Sequence, residues 1–248
     1  TKLPLSLDGA NGPAIFNVHN SYHENLINYM APLEIPLEDL EADFTGVEAH
    51  VIDGKVYYID YGMMTGAVYY NKDMWEAAGL TDADIPKTWD EMREVAKKLT
   101  IKDGDRLIQA GLNFNDDFHQ NYLLGLNYQL GENLFEEDGK TPKVTSDAMK
   151  QVMQMLVDMY EVDGVGSKDF GEKCADSFGQ GQSAMVMQWG HYYNTLNTTW
   201  TDINFGVFEI PTFDGNPYAY NRYNGESTFG INKNAPAEQQ AVAQDFVK

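Results

Sequence analysis

Three aromatic rings and an imidazole fall within six consecutive positions, Gln188-Trp189-Gly-His191-Tyr192-Tyr193. Aromatic faces pack on apolar C–H surfaces while hydroxyls need polar partners such as Asn, Asp and Gln, so this composition suits stacking against a sugar ring. Rings of this kind serve as core equally well, and that accounts for about half of them. A second group, Asp116-Asp117-Phe118-His119, follows directly on the run Gly111-Leu-Asn-Phe-Asn115. Carboxylates at the C-terminal end of a strand stand where open α/β sheets bind ligands, although helix capping is an equal reading for one of them. The pair also tempts a reading as the acid and base of glycoside hydrolysis. Adjacent residues on an extended strand point to opposite faces, which is a poor match to two carboxyls flanking one bond. A third polar group, Asn17, His19 and Asn20, comes immediately after the apolar run Ala14-Ile-Phe16, a position suited to a contact loop.

Other patterns with catalytic overtones lack their partners. Asp169-Phe170-Gly171 has neither a glycine-rich loop nor a His-Arg-Asp segment to accompany it. His23-Glu24 lacks the second histidine of a zinc helix, Gly225-Glu-Ser227-Thr-Phe229 lacks the second glycine of a nucleophile elbow, and Asp103-Gly-Asp105 is too short for a calcium loop. Asn197-Thr-Thr199 is a formal glycosylation sequon only. No catalytic residue, metal site or cofactor is expected.

The elements that must position these groups have readable ends. Ala67 to Tyr70 is a short apolar run suited to a buried strand, Asn71 and Asp73 can cap the helix after it, and Gly79 stops that helix. Thr88 and Glu91 have the spacing of a capping box behind Pro86, which predicts a helix from Trp89 to Thr100. Asp53-Gly54 between Val51-Ile52 and Val56-Tyr-Tyr58 predicts a hairpin with a type I′ turn. Tyr22 to Met30 predicts a short helix, and Ser146 to Tyr160 a longer one with Met149, Val152, Met153, Leu156, Met159 and Tyr160 on one apolar stripe. Ser183 to Met187 and Asn204 to Ile210 predict buried strands, and Pro236 opens a final helix to Lys248. The mixture predicts an α/β fold with parallel strands.

Composition sets outer bounds. The 248 residues are 43% hydrophobic and 12% aromatic, enough for one large core or two modest ones. Seventeen Lys and Arg against 38 Asp and Glu give a formal net charge of −21, which repels nucleic-acid phosphates and anionic lipid. No apolar run approaches the roughly 18 residues of a membrane span. Cys174 is the only cysteine, which excludes an intrachain disulfide and a cysteine-based zinc site. The sequence starts at Thr1 without a basic and apolar leader, so location rests on resemblance.

The stretch Ala67-Val-Tyr-Tyr-Asn-Lys-Asp-Met-Trp-Glu-Ala-Ala-Gly-Leu80 followed by Pro86-Lys-Thr-Trp-Asp-Glu-Met92 resembles the signature of bacterial extracellular solute-binding proteins, in the carbohydrate-binding group related to maltodextrin-binding protein. Phe16 to Leu33, Phe178-Gly-Gln-Gly-Gln-Ser-Ala-Met185 and Ile203 to Phe213 extend the resemblance over nearly the whole chain. It implies a two-lobed α/β fold of the type II periplasmic-binding-protein kind. This sequence is similar to the middle of such a protein, which implies a partial first lobe over 1–62, a second lobe over 63–224, and a return into the first over 225–248.

The resemblance also implies what the chain does. It would capture a carbohydrate, an oligosaccharide by preference, and deliver it to the membrane permease subunits of an ABC importer, as a monomer, extracellular and either lipid-anchored or periplasmic. Ligand contacts would come from Asn17, His19 and Asn20 on one lobe, and from Asp116, Asp117, Phe118 and His119 on the other. Trp189, His191 and Tyr192 would supply the stacking face; direct register sets His191, not Trp189, on the family's sugar-stacking tryptophan. Met64, Asn224 and Glu226 would add contacts beside the crossings, and Gly62, Thr65 and Gly225 would be the hinge positions that absorb lobe rotation. Two other classes remain: a polyamine or cation-binding importer subunit, suggested by the acidic excess, and a glycoside-active enzyme.

Overall fold

The computed structural model describes every residue except Thr1, Ala10, Asn20, Ser21, 116–124, 214–222 and Ser227, with only the backbone considered at 63–64 and 223–226. The chain divides into two compact units, Thr1–Met64 with Asn224–Lys248, and Thr65–Tyr223.

In chain order the elements are α1 (Leu3–Leu7), β1 (Ile15–Val18), α2 (His23–Leu26), β2 (Met30–Ala31), α3 (Leu37–Asp43), β3 (Val51–Ile52), β4 (Lys55–Val56) and β5 (Gly62–Asn71). There follow α4 (Lys72–Ala77), α5 (Trp89–Leu99), β6 (Ile101–Asp103), β7 (Arg106–Gln109), α6 (Leu126–Gln129), α7 (Asp147–Glu161), α8 (Cys174–Gly179), β8 (Met185–Trp189), α9 (Tyr192–Thr198) and β9 (Phe205–Phe208). The last are β10 (Tyr223–Glu226), β11 (Thr228–Asn232) and α10 (Ala237–Val247).

The smaller unit is built on the sheet β1-β11-β2, with both pairings antiparallel. Alternation along its strands sends Phe16, Val18 and Met30 into a cluster with Leu7, Leu26 and Tyr58, while Ile231 joins Leu40, Val56, Ile59, Ala243 and Val247. The Gln244 side chain fastens α10 to the segment before α3, accepting from Glu34 N at 2.9 Å and donating to Pro32 O at 2.9 Å. The β3–β4 hairpin has φ of 50° at Asp53 and 75° at Gly54, the two positive values that a type I′ turn demands.

The larger unit centres on β5, which pairs with β8 through Tyr70↔Met185 and with β9 through Tyr70↔Gly206, on opposite edges; β10 is also its neighbour. Val68, Tyr70, Met185 and Met187 face Trp89, Met92, Val95, Val152 and Met159 of α5 and α7. Tyr69 and Val186 face Cys174, Phe178, Tyr192 and Leu196 of α8 and α9, giving helix, sheet and helix layers. The helix ends obey the local chemistry. Asn71 Oδ1 accepts from Asp73 N and Met74 N, Gly79 takes φ of 73°, and Thr88 with Glu91 closes both halves of the capping box at the head of α5.

At the corner between α8 and β8, Gly181 adopts φ of 71°, Phe178, Ala184 and Met185 are fully buried, and a Cβ on Gly179 would stand 2.5 Å from the Trp200 ring. The Phe-Gly-Gln-Gly-Gln-Ser-Ala-Met sequence is therefore a packing device, in which two glycines and four buried side chains, Ser183 among them, fix where β8 starts.

Three expectations are corrected. The ladders with described register are antiparallel, because β8 and β9 return along β5 in the opposite sense; parallel pairing survives as isolated bridges, Ala110↔Ser183 and Asn113↔Val186 among them. On α7 the buried face is Ala148, Val152, Met155 and Met159, whereas Met153 is 44% exposed. The 22–30 segment holds only the four residues of α2, then a 3-10 turn over Ile27–Tyr29 before β2. Among the described residues no helix is long and apolar enough to cross a membrane.

Candidate functional site

On the smaller unit, β1 alternates Phe16 and Val18 inward and Asn17 outward. His19, two residues beyond Asn17, is also exposed, and its carbonyl accepts from Tyr22 N at 2.8 Å, turning the chain toward α2. The His19 and Tyr22 rings stand edge to face, 6.2 Å apart. Asn17 and His19 thus present an amide and an imidazole at the exit of one strand. Asn20, the third member of that group, lies outside the described residues.

On the larger unit, the bridges Ala110↔Ser183 and Asn113↔Val186 set the 110–113 segment parallel to β8, so the two C-terminal ends emerge at the same end of the sheet. Asp116, Asp117, Phe118 and His119 come next after Asn115 in the sequence and lie outside the described residues. Their root is described in full. Asn113, fully buried, accepts from Asn115 N at 2.8 Å and donates to Ser177 Oγ at 3.2 Å. The Tyr160 hydroxyl donates toward Asn115 Oδ1 at 3.0 Å and Asn113 Oδ1 at 3.3 Å, and accepts from Phe114 N at 2.8 Å. Its ring stacks on Phe114 with centroids 3.9 Å apart. Burial pushes the Tyr160 phenol far above its ordinary value, only partly opposed by the Phe114 N–H, so it remains a donor at physiological pH.

The other end is the turn after β8. Trp189 is half-buried, packed at the margin of the α5 and α7 cluster, and His191 is exposed. Tyr192 corrects the expectation of a continuous aromatic platform: it is 3% exposed and its hydroxyl donates to Ala175 O. The strand ends at Trp189 and α9 starts at Tyr192, and the change of backbone period turns that ring back into the core. Tyr193 is 54% exposed, with its ring edge to face with Phe205.

Cys174 joins the two ends. Its N–H donates to Asn115 O at 3.2 Å, and its sulfur accepts from Gln188 Nε2 at 3.3 Å. Sequence reasoning missed Tyr160, Tyr69 and Cys174 as supports, since contacts between segments far apart in the chain reveal them; the alternating Asn113 and Asn115 were the one local signal. A hollow of about 660 Å³ along α5, bordered by exposed charges such as Asp90, Glu94 and Lys98, shares no residue with either end. Among the described residues no cluster of three or more His, Cys, Asp or Glu is arranged to hold a metal ion.

Met64, Thr65, Asn224 and Glu226 are placed by their backbone: the chain passes from one unit to the other between Met64 and Thr65 in β5, and between Tyr223 and Asn224 in β10. Gly62 opens β5, and Gly225 lies within β10.

These features define a type II periplasmic-binding-protein fold. The match to solved structures extends over almost the whole chain: UgpB from Mycobacterium tuberculosis in complex with glycerophosphocholine has a TM-score of 0.79 at 19% identity, covering 99% of this chain and 64% of that one. MalE from Bdellovibrio bacteriovorus bound to maltotriose has a TM-score of 0.72 at 21% identity, covering 100% and 64%. By sequence, a putative binding protein of Brucella abortus is 27% identical over 172 residues, which are 67% of this chain and 40% of that protein. The chain belongs to the bacterial extracellular solute-binding protein family, whose model matches residues 1–248.

Proposed function

We propose that this protein captures a carbohydrate of oligosaccharide size outside the cell, on the surface or in the periplasm, and passes it as a monomer to the permease subunits of an ABC importer. The observation that supports this best is the half-buried Trp189 with exposed His191 beside it, at the C-terminal end of β8, in a family of binding proteins one of whose structural relatives holds maltotriose. A half-buried indole offers an apolar face without needing to move, which suits the C–H face of a sugar ring. Asn17 and His19 would meet hydroxyls from the smaller unit. The resemblance adds Asn20, Met64, Asp116, Asp117, Phe118, His119, Asn224 and Glu226 as contacts and Gly62, Thr65 and Gly225 as hinge positions. Lobe boundaries at 62/63 and 224/225 are part of the same reading.

A second reading, a glycerophosphodiester, is favoured by the likeness to the glycerophosphocholine complex. Thermal shift of this chain against maltotriose, longer oligosaccharides, glycerophosphocholine and spermidine separates them. An oligosaccharide at about 100 times its dissociation constant adds roughly 2.7 kcal/mol, and Trp189→Ala should abolish that rise. A melt raised only by glycerophosphocholine or by spermidine would overturn the carbohydrate assignment.

A further inference from the structure

Tyr69 lies toward the C-terminal end of β5, 2% exposed, on the face covered by α8 and α9. Its hydroxyl reaches past the end of the neighbouring strand, standing 3.2 Å from Trp189 O and 3.2 Å from Gly190 O. The Tyr193 N–H donates to Gly190 O at 3.3 Å, closing the turn, and its nearness to the phenol oxygen partly offsets the upward push of burial. One phenol therefore bridges the two carbonyls where the strand ends, and the second of them, Gly190 O, is also the acceptor for the amide of Tyr193 where α9 starts. Four residues earlier in β5, Thr65 O accepts from Gly190 N at 2.9 Å, and Gly66 is the ladder partner of Trp189. Thr65 is the first residue of the larger unit after the chain enters it.

We propose that Tyr69 is the positioning residue of the Trp189–His191 turn, holding its backbone in the shape that presents the indole and locking it to the first residues that β5 contributes to this unit. The inference rests on the carbohydrate-binding reading for its functional meaning, though not for its mechanics. A polyol ligand is recognised by a ring plane and hydroxyl partners at fixed separations, so a turn free to rotate its peptide planes would present Trp189 in many orientations and lose affinity by the cost of ordering it. The clamp removes that cost before ligand arrives. Because Gly190 is bonded to Thr65, a backbone rotation where the chain enters this unit is felt at Trp189, three to four residues from the phenol that holds it.

The test is Tyr69→Phe, which keeps the ring in its contacts with Tyr192 and Phe205 and removes only the hydroxyl. Tyr192→Phe is the structural control, since it loses a buried phenol bond, to Ala175 O, on the same sheet face. Hydrogen exchange of the ligand-free proteins should show the Gly190 and Tyr193 amides exchanging about tenfold faster in Tyr69→Phe, with α5 and α7 unchanged, and no such acceleration in Tyr192→Phe. Unchanged protection at both amides in Tyr69→Phe, or equal acceleration in the control, overturns the proposal. A second arm measures maltotriose affinity. With Trp189→Ala abolishing binding, a tenfold loss in Tyr69→Phe supports the clamp and wild-type affinity refutes its role in presentation. If the wild-type chain ignores maltotriose, the carbohydrate reading fails at that ligand, and the exchange result alone decides the role of Tyr69.

Discussion

The two loop roots at the candidate site of the larger unit are built by opposite means. At 113–115 the chain is held through side chains: the buried Asn113 and Ser177 and the partly buried Asn115 and Tyr160 form a set in which each member serves several partners. At 189–193 it is held through its own backbone, with ladder bonds to β5 and one phenol, Tyr69, across the turn. A saturated side-chain set is expensive to break, because each deletion strands several polar groups away from water. A turn held by backbone and one hydroxyl is cheap to alter in stability and sensitive in geometry. The first root thus fixes 113–115 firmly, and the second is the one whose geometry can be adjusted at low cost.

Asn113→Ala gives the largest expected effect. It strands the Asn115 N–H and a Ser177 bond in a fully buried place, and should cost about 3 kcal/mol in urea denaturation; a cost under about 1 kcal/mol would erase the contrast between the roots. Tyr160→Phe should cost about 2 kcal/mol at pH 8, keeping the stack on Phe114 but leaving three polar groups short of a partner. The same variant has a pH signature. The folded phenol is raised above its unfolded value near 10, so its stability is whole below about pH 10 and is lost as pH rises beyond it, at up to about 1.4 kcal/mol per pH unit. An alkaline denaturation series in which Tyr160→Phe loses stability as steeply as wild type would show that this phenol is not a buried donor. Tyr69→Phe should cost only about 1 kcal/mol by the same urea assay. The smallest effect is the most diagnostic: the Tyr69→Phe and Tyr160→Phe costs should add to within about 0.5 kcal/mol in a double-mutant cycle. A larger coupling would mean that the Cys174 link between Asn115 and Gln188 makes the two roots one body.

Legibility in the sequence followed the range of the interactions. Asn71, the Thr88 and Glu91 capping box, Asp53-Gly54 and the proline ahead of α10 act within four residues, and each appears where its chemistry predicts. The α7 stripe was misplaced because the helix is apolar at most positions between Met149 and Tyr160, so period alone could not choose between Met153 and Met155. Strand direction was misjudged because alternating elements tell which segments neighbour one another, not which way they run. At the candidate site, the polar character of the loop after β1 was legible, and Asn17 and His19 are exposed there. The inward turn of Tyr192 was not, since it depends on where a strand gives way to a helix, and the supports at Tyr69 and Tyr160 depend on contacts far apart in sequence.

The corner before β8 has a further use. From Met185 to Trp189 the strand takes four steps of about 3.4 Å, so the corner sets the indole roughly 14 Å away, like a gauge block between a datum and a tool tip. Exposed residues just beyond the tip can be exchanged without disturbing the datum. A substitution at the exposed His191 inherits a calibrated mounting, provided that Gly179, Gly181 and the buried Tyr192 stay as they are, whereas a one-residue insertion inside the block would turn Trp189 to the opposite face of the sheet.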